Sequence, residues 1–529
     1  MLNIQDITYM HPNKDVLFSG ISLTVNKQNK IALTGNNGVG KSVMLQLLAG
    51  KLVPTLGIIT TSSQPYYVPQ LTNKYDACTV AQSLGLDKKL NALHKIIAGN
   101  GNEDDYIVLD DDWSLEERIN EAFNYWSLGS IKPNDIMENL SGGQKTKAFL
   151  AGIQIYKPEI VLLDEPSNHL DAEGRKLLYD YIVTTKNTLV VVSHDRTLLN
   201  LLNTVCELSP KGLKTYGGNY EFYKQQKQIE TEALNYNIQN REKELRKARE
   251  TERETIERQN KLDARGKKKQ EKAGLPTIAM KTFKNNAEKS TARVKDVHTE
   301  KIGSITESLN LLRLDVNGID KIKLDLDNSM LHKGKELIIA KGINFSYNGN
   351  SLWDNSLSFM INSGERIVIK GANGKGKTTL IKIILGVVNP TRGQISDLTI
   401  PSVYIDQDYS LINDNLSVYE QAQSFNTGIL QEHDIKMRLN RFLFSQEYWD
   451  KSCAVLSGGE KMRLLLCCIT ISNQAPDLII LDEPTNNLDL VNITILTNAI
   501  KEYKGTLIVV SHDTVFLEEI GVEREIILQ

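Results

Sequence analysis

Two stretches carry residue types and spacings that suit phosphate chemistry. The first is GNNGVGKS, comprising Gly35, Asn36, Asn37, Gly38, Val39, Gly40, Lys41 and Ser42. The second is GANGKGKT, comprising Gly371, Ala372, Asn373, Gly374, Lys375, Gly376, Lys377 and Thr378. Each follows an apolar run (KIALT, RIVIK) and precedes a helical pattern (VMLQLLAG, TLIKIILG). A G-x-x-x-x-G-K-[ST] loop between strand and helix lets backbone N–H groups turn inward around phosphate, and the following helix N-terminus adds positive potential. Lys41 and Lys377 are placed to pair with β- and γ-phosphate oxygens, and Ser42 and Thr378 to hold Mg²⁺. Asp164 and Asp482 each end an apolar run, where a carboxylate reaches the Mg²⁺ shell. Glu165 and Glu483 come next and are placed to polarise an attacking water.

These residues recur because the chain is a repeat. LSGGQ begins at Leu140 and LSGGE at Leu456; VVVSHD carries His194 and IVVSHD carries His512; YYVPQ ends at Gln70 and VYIDQ at Gln407. All stand in one order, so two copies of one α/β domain are the economical reading. The offset between copies is 336 at the glycine loops, 337 at the glutamines, 316 at the LSGG motifs and 318 at the acidic and histidine motifs. About 21 extra residues therefore lie between Gln70 and Leu140, most naturally around 84–107. A surface loop accommodates such a length difference at small cost.

LSGGQ and LSGGE, set beside these loops and acidic strand ends, resemble the signature of ATP-binding cassette (ABC) ATPases, and the resemblance covers nearly the whole chain. It implies a monomer whose two cassettes pair head to tail, with each ATP between one P-loop and the opposite signature. One site would face Ser457, Gly458 and Gly459; the other would face Ser141, Gly142 and Gly143. The resemblance also implies Gln70 and Gln407 at the Mg²⁺ and water, and His194 and His512 at the γ-phosphate. Tyr9 and Tyr347, ahead of the P-loops, would stack on adenine. Both sites keep their glutamate, so both are expected to hydrolyse ATP. Glu460 stands where the first copy has Gln144, an exchange expected to leave the Ser-Gly-Gly donors intact.

Between the copies the composition changes. Residues Glu221 to Glu300 hold 20 basic and 14 acidic side chains, a net of +6 in a chain of net charge -3. Neither Pro nor Gly occurs from Glu221 to Arg265, which predicts a polar helix of about 43 residues, about 65 Å long. Gly266 and then Gly274-Leu275-Pro276 are expected to break it. A second helical pattern over about 282–312 completes an antiparallel hairpin. Its basic tip holds Arg265, Lys267, Lys268, Lys269, Lys272, Lys281 and Lys284. Such a projection suits phosphate neutralisation on RNA, with Leu275, Ile278, Met280 and Phe283 available to pack on bases. The expected domains are 1–220, a linker at 221–315 with its tip at 261–284, and 316–529.

Two cassettes in one chain, joined by a charged helical hairpin, resemble the ABC-F family of translation factors. That resemblance implies binding at the ribosomal E site in the ATP-bound closed state, with contact to rRNA and P-site tRNA. It also implies an arm facing the ribosomal stalk at the first-copy insertion. Some members of that family protect ribosomes from antibiotics. No run approaches the ~20 apolar residues that span a bilayer, and the N-terminus lacks a signal-peptide pattern. This argues against an intrinsic transporter, though not against a transporter's energy subunit. The five cysteines form no C-x-x-C pair, unlike repair excinucleases of the superfamily, and are expected to be reduced packing residues in a cytoplasmic protein.

Overall fold

The run KIALT becomes the middle of a parallel sheet because both of its faces are covered. Such strands read as unbroken apolar runs rather than alternating ones. The computed structural model describes residues 1–70, 73–272, 292, 296–310, 312–313, 334–347, 349–396, 400–428, 430–472 and 475–528. They form an α/β protein with two tandem cassettes and a long helix between them. The chain divides into two compact units, Met1–Glu221 with Lys321–Gln529, and Phe222–Asp320.

In the first cassette, Lys30–Thr34 lies between Thr188–Val192 and Thr204–Ser209, parallel to both. Ile160–Asp164 and Tyr66–Val68 extend the sheet on one side, and Gly212–Tyr216 closes the other as an antiparallel edge. Every residue of Ile160–Asp164 and of Thr188–Val192 is buried. A separate antiparallel sheet pairs Leu2–Met10 with Val16–Val25 and Leu56–Thr61. The second cassette repeats the plan: Arg366–Lys370 lies between Thr506–Val510 and Arg524–Ile527, with Leu478–Asp482 and Ser402–Ile405 beyond. Helices Lys41–Leu48 and Lys377–Ile384 pack one apolar face on their sheets through Leu45, Leu48, Leu380 and Ile384.

The extra length of the first copy is helical. Asp87–Ile97 and Glu103–Leu109 follow Val80–Leu84 and precede Leu115–Tyr125. Asn102 caps the second of these by accepting from the Asp105 N–H at 2.9 Å.

The long helix runs Tyr220–Lys272, 53 residues, or about 80 Å at ~1.5 Å per residue. The expected break at Gly266 is therefore a misreading. A lone glycine costs a helix only ~1 kcal/mol relative to alanine, and its neighbours Arg265 and Lys267 to Lys269 are good helix formers. Arg265 and Lys268 are exposed on this helix, and Lys267, Lys269 and Lys272 belong to it. Residues 296–310 of the returning segment are helical, and Arg313 pairs with Glu242 at 2.6 Å within this unit. Gly274-Leu275-Pro276, Lys281 and Lys284 lie outside the described residues.

Cys206, Cys453, Cys467 and Cys468 are buried thiols, and Cys78 is free and half-buried. Among the described residues, no helix is long and apolar enough to cross a membrane.

Candidate functional site

Parallel pairing puts the chemistry-bearing residues of each cassette at one edge of its sheet. Asp164 pairs in register with Val192, so Asp164, Glu165 and His194 emerge beside the loop that follows Thr34. Asp482 pairs with Val510, which does the same for Glu483 and His512. This is the carboxyl edge of the strands, where open α/β sheets take ligands.

In the first loop, the buried Lys41 ammonium donates to the carbonyls of Gly35 at 2.8 Å and Asn36 at 3.1 Å. The Ser42 hydroxyl donates to Asp164 Oδ1 at 3.1 Å, and the Tyr67 hydroxyl donates to Asp164 Oδ2 at 3.0 Å. The second loop repeats this. Lys377 donates to the Gly371 carbonyl at 2.8 Å and the Ala372 carbonyl at 3.5 Å, and Thr378 and Tyr404 donate to Asp482 Oδ2 at 2.9 and 3.1 Å. The two tyrosines were not singled out from the sequence. The 337-residue offset that relates Gln70 to Gln407 also relates Tyr67 to Tyr404, and that signal would have found them.

Glu165 and Glu483 both adopt φ 49°, a left-handed backbone that non-glycine residues hold only when their surroundings impose it. Their N–H groups donate to the carbonyls of Val192 and Val510 at 2.9 and 2.8 Å, which fixes the turn. Glu165 Oε2 accepts from the His194 N–H at 3.3 Å, and His194 Nε2 lies 3.4 Å from Glu165 Oε1. His512 Nε2 lies 3.5 Å from Glu483 Oε1 and 3.1 Å from Lys377 Nζ. Burial raises the pKa of Glu165, against the pull of Lys41. Burial pushes Glu483 up to about 7, against Arg175 and Lys377. Both histidines move the other way: burial and Lys41 hold His194 well below its usual range, and burial, Lys377 and Arg175 bring His512 down to about 4. Burial also lowers both lysines, opposed by nearby carboxylates.

Two cavities, of about 430 and 520 Å³, open at these edges. Their volumes suit a small-molecule ligand. The second brings together Lys377, Thr378, Gln407, Glu483 and His512 from the second cassette with Ser141, Gly142 and Gly143 from the first. Tyr347 also lines it, its hydroxyl 3.2 Å from Thr379 Oγ1. Asn373 Nδ2 donates across to the His169 carbonyl at 2.9 Å. This cavity therefore draws its lining from both cassettes.

The first cavity holds Lys41, Ser42, Gln70, Glu165 and His194, but Ser457, Gly458 and Gly459 are not part of its lining. Asn487 is the second-cassette residue there. The Asn37 N–H donates to Asp489 Oδ2 at 3.1 Å, and Asn37 Nδ2 donates to the Asn487 carbonyl at 3.2 Å. Tyr9 is likewise not in this lining. It is half-buried on strand Leu2–Met10 and tilts against Phe18 at 6.3 Å between ring centroids, while His11, 5.7 Å from it, lines the cavity. Tyr9 packs on the core cluster of the first cassette, at a point where the pairing of its strand with Val16–Val25 is irregular.

Both signature serines cap the helices they open. Ser141 accepts from the Gln144 N–H at 3.3 Å, and Gln144 Oε1 accepts from the Ser141 N–H at 2.9 Å. Glu460 reproduces this box, its Oε2 accepting from the Ser457 N–H at 2.9 Å and from the Ser457 hydroxyl at 2.8 Å. The exchange preserves the turn but engages the serine hydroxyl and adds a negative charge.

Comparison with known proteins agrees with this architecture. The family described as ABC transporter matches residues 18–168 and 355–486. The chain is 31% identical over 537 residues to the uncharacterized ABC transporter ATP-binding protein YfmR of Bacillus subtilis, covering 97% of this chain and 78% of YfmR. It is 29% identical to the probable ATP-binding protein YbiT of Escherichia coli O157:H7, covering 98% and 95%. It is 26% identical to ABC transporter F family member 2 of Arabidopsis thaliana, covering 94% and 72%. In fold it is similar to the archaeal ribosome recycling factor aABCE1, solved with the ribosomal stalk protein aP1 (TM-score 0.61, 19% identity, 99% of this chain and 87% of that one). It is also similar to an RNase-L inhibitor (TM-score 0.60, 18% identity, 99% and 87%). With the cassette matched twice and relatives of this kind aligned along almost its entire length, the chain belongs to the ATP-binding cassette family and is an ATPase of its F type.

Proposed function

We propose that this ATPase is a ribosome-bound translation factor that closes its cassettes on ATP and opens them on hydrolysis. The observation that carries this reading is the partner surface the chain provides for itself. The 53-residue helix Tyr220–Lys272 is rich in Lys, Arg and Glu and has a basic end. Solved proteins of similar fold include a ribosome recycling factor with a stalk protein and a ribosome-bound complex of Pelota and ABCE1, which supports the same direction.

The residues at each sheet edge fit ATP with Mg²⁺. Lys41 and Lys377 are buried or half-buried ammonium groups held at the loop carbonyls, where they would meet phosphate oxygens. Each hydroxyl–carboxylate pair, Ser42–Asp164 and Thr378–Asp482, offers hard oxygen donors. Bound there, Mg²⁺ would neutralise charge developing on the phosphate oxygens. Gln70 and Gln407 orient the water, Glu165 and Glu483 draw its proton, and His194 and His512 meet the γ-phosphate. Tyr347 covers the adenine of the second site, and Ser141 to Gly143 close that site with N–H donors at a helix N-terminus. In the closed state Ser457 to Gly459 do the same for the first. The basic tip, Arg265 to Lys284, then meets rRNA and P-site tRNA beside the E site.

The test is the double variant Glu165→Gln with Glu483→Gln. It should bind ATP, fail to hydrolyse it, and co-sediment with ribosomes in ATP but not in ADP. Free sedimentation in ATP would overturn the ribosomal reading while leaving the ATPase assignment intact.

A further inference from the structure

The two cavities differ in one buried cation. Arg175 lies on helix Ala172–Thr184 of the first cassette, one turn beyond its cap Asp171. It is 8% exposed and lines the second cavity beside Lys377, Glu483 and His512. The 318-residue offset places Ile493 at the corresponding position of the second cassette, on helix Leu490–Glu502, where it is buried in apolar packing. No arginine is found among the described residues that line the first cavity.

Arg175 is held in place from its own cassette. Its Nε–H donates to the Leu170 carbonyl at 3.3 Å, and its Nη1 donates to Asp195 Oδ2 at 3.4 Å. The Tyr179 hydroxyl donates to the same Asp195 oxygen at 2.6 Å. One carboxylate oxygen is thus shared between a phenol and a guanidinium, and the guanidinium remains directed at the cavity where Glu483 and His512 sit. Asp195 directly follows His194, so the arginine connects the histidine segment of one site to the interior of the other.

A second difference has the same sign. Gln144 caps the signature helix that faces the second cavity, whereas Glu460 caps its counterpart. The second site therefore gains a positive charge through Arg175 and keeps a neutral signature. The first has an isoleucine and a carboxylate at the corresponding positions.

We propose that Arg175 is a cation of the second ATP site, donated across the interface by the first cassette, and that it makes the two sites chemically unequal. It favours the triphosphate over the diphosphate there, because an additional guanidinium is stabilised by additional phosphate charge. The second site then binds ATP more tightly and commits the pair to closure. This rests on the reading of Glu165 and Glu483 as the groups that activate water.

The experiment uses the full chain with one site silenced at a time. Glu165→Gln leaves the second site active, and Glu483→Gln leaves the first. If the double variant still turns over, the reading of Glu165 and Glu483 fails, while competition of ADP with ATP still decides the Arg175 proposal. With that control passed, Arg175→Met in the Glu165→Gln background should lower kcat/KM for ATP by about 10- to 100-fold, the scale of a charge-assisted contact. It should also reduce the preference for ATP over ADP measured by competition. In the Glu483→Gln background the loss should be clearly smaller, because the first site feels Arg175 only through Asp195 and through closure. Arg175→Lys, which keeps the charge, should recover part of the second-site loss, and it is the variant to read if Arg175→Met does not fold. Equal losses in both backgrounds, or an unchanged ATP-to-ADP preference, would show that Arg175 only supports the packing and would overturn the proposal.

Discussion

The Asn37 N–H of the first P-loop donates to Asp489 Oδ2 of the second cassette at 3.1 Å. A side-chain carboxylate thus stands at an N–H that could face phosphate. The same Asp489 uses its other oxygen to cap helix Leu490–Glu502, accepting from the Asn492 N–H at 2.8 Å. It is both a helix cap and a competing anion at the first site.

Asp489→Asn separates the two roles. Asparagine caps as well as aspartate, so melting temperature should hardly change. Removing the negative charge should strengthen ATP binding at the first site by about threefold to tenfold, following the scale of one partly buried charge interaction. Nucleotide titration in the Glu483→Gln background measures this; weaker binding would show that the carboxylate assists closure instead.

Glycines of the second loop predict a graded stability effect. A Cβ on Gly376 would lie 2.3 Å from Leu352 Cδ2, and its φ is +79°. A Cβ on Gly374 would meet nothing within 4 Å, although its φ is +82°. Gly374→Ala should therefore cost only about 1 kcal/mol of backbone strain. Gly376→Ala should cost about 1–3 kcal/mol more, because Leu352 must move. Urea unfolding of the two variants checks the order, and equal midpoints would contradict it.

Charge reversal at the tip tests the part assigned to RNA. Replacing Lys267, Lys268 and Lys269 with Glu should leave ATP hydrolysis by the free protein within about twofold, because surface changes remote from a site are nearly neutral. Its effect on translation, and the salt dependence of its ribosome binding, should fall sharply. Parallel loss of both activities, or of neither, would remove the tip as the effector.

The repeated motifs made the two-cassette fold and the site chemistry legible in sequence, because each is a local pattern. A strand, a glycine turn and a helix start are encoded within a dozen residues, and the acidic pair sits at a strand end. The long helix was legible for the same reason, although its passage through Gly266 was not, since ~1 kcal/mol is too little to stop a helix with strong neighbours.

Other features arose only from tertiary structure. Asn37 and Asp489 are 452 residues apart, and no local pattern reports their meeting. The left-handed turn at Glu165 and Glu483 follows from hydrogen bonds to neighbouring strands, not from any preference of glutamate. The turn of Tyr9 to the core, with His11 at the cavity, was decided by how one strand packs. Arg175 reads as an ordinary helical arginine until the cassettes are brought together. Sequence alone determined which chemistry each cassette carries, because that lies in contiguous motifs. Packing decided which charges each site borrows from the other cassette, because those charges come from distant segments brought together only by folding.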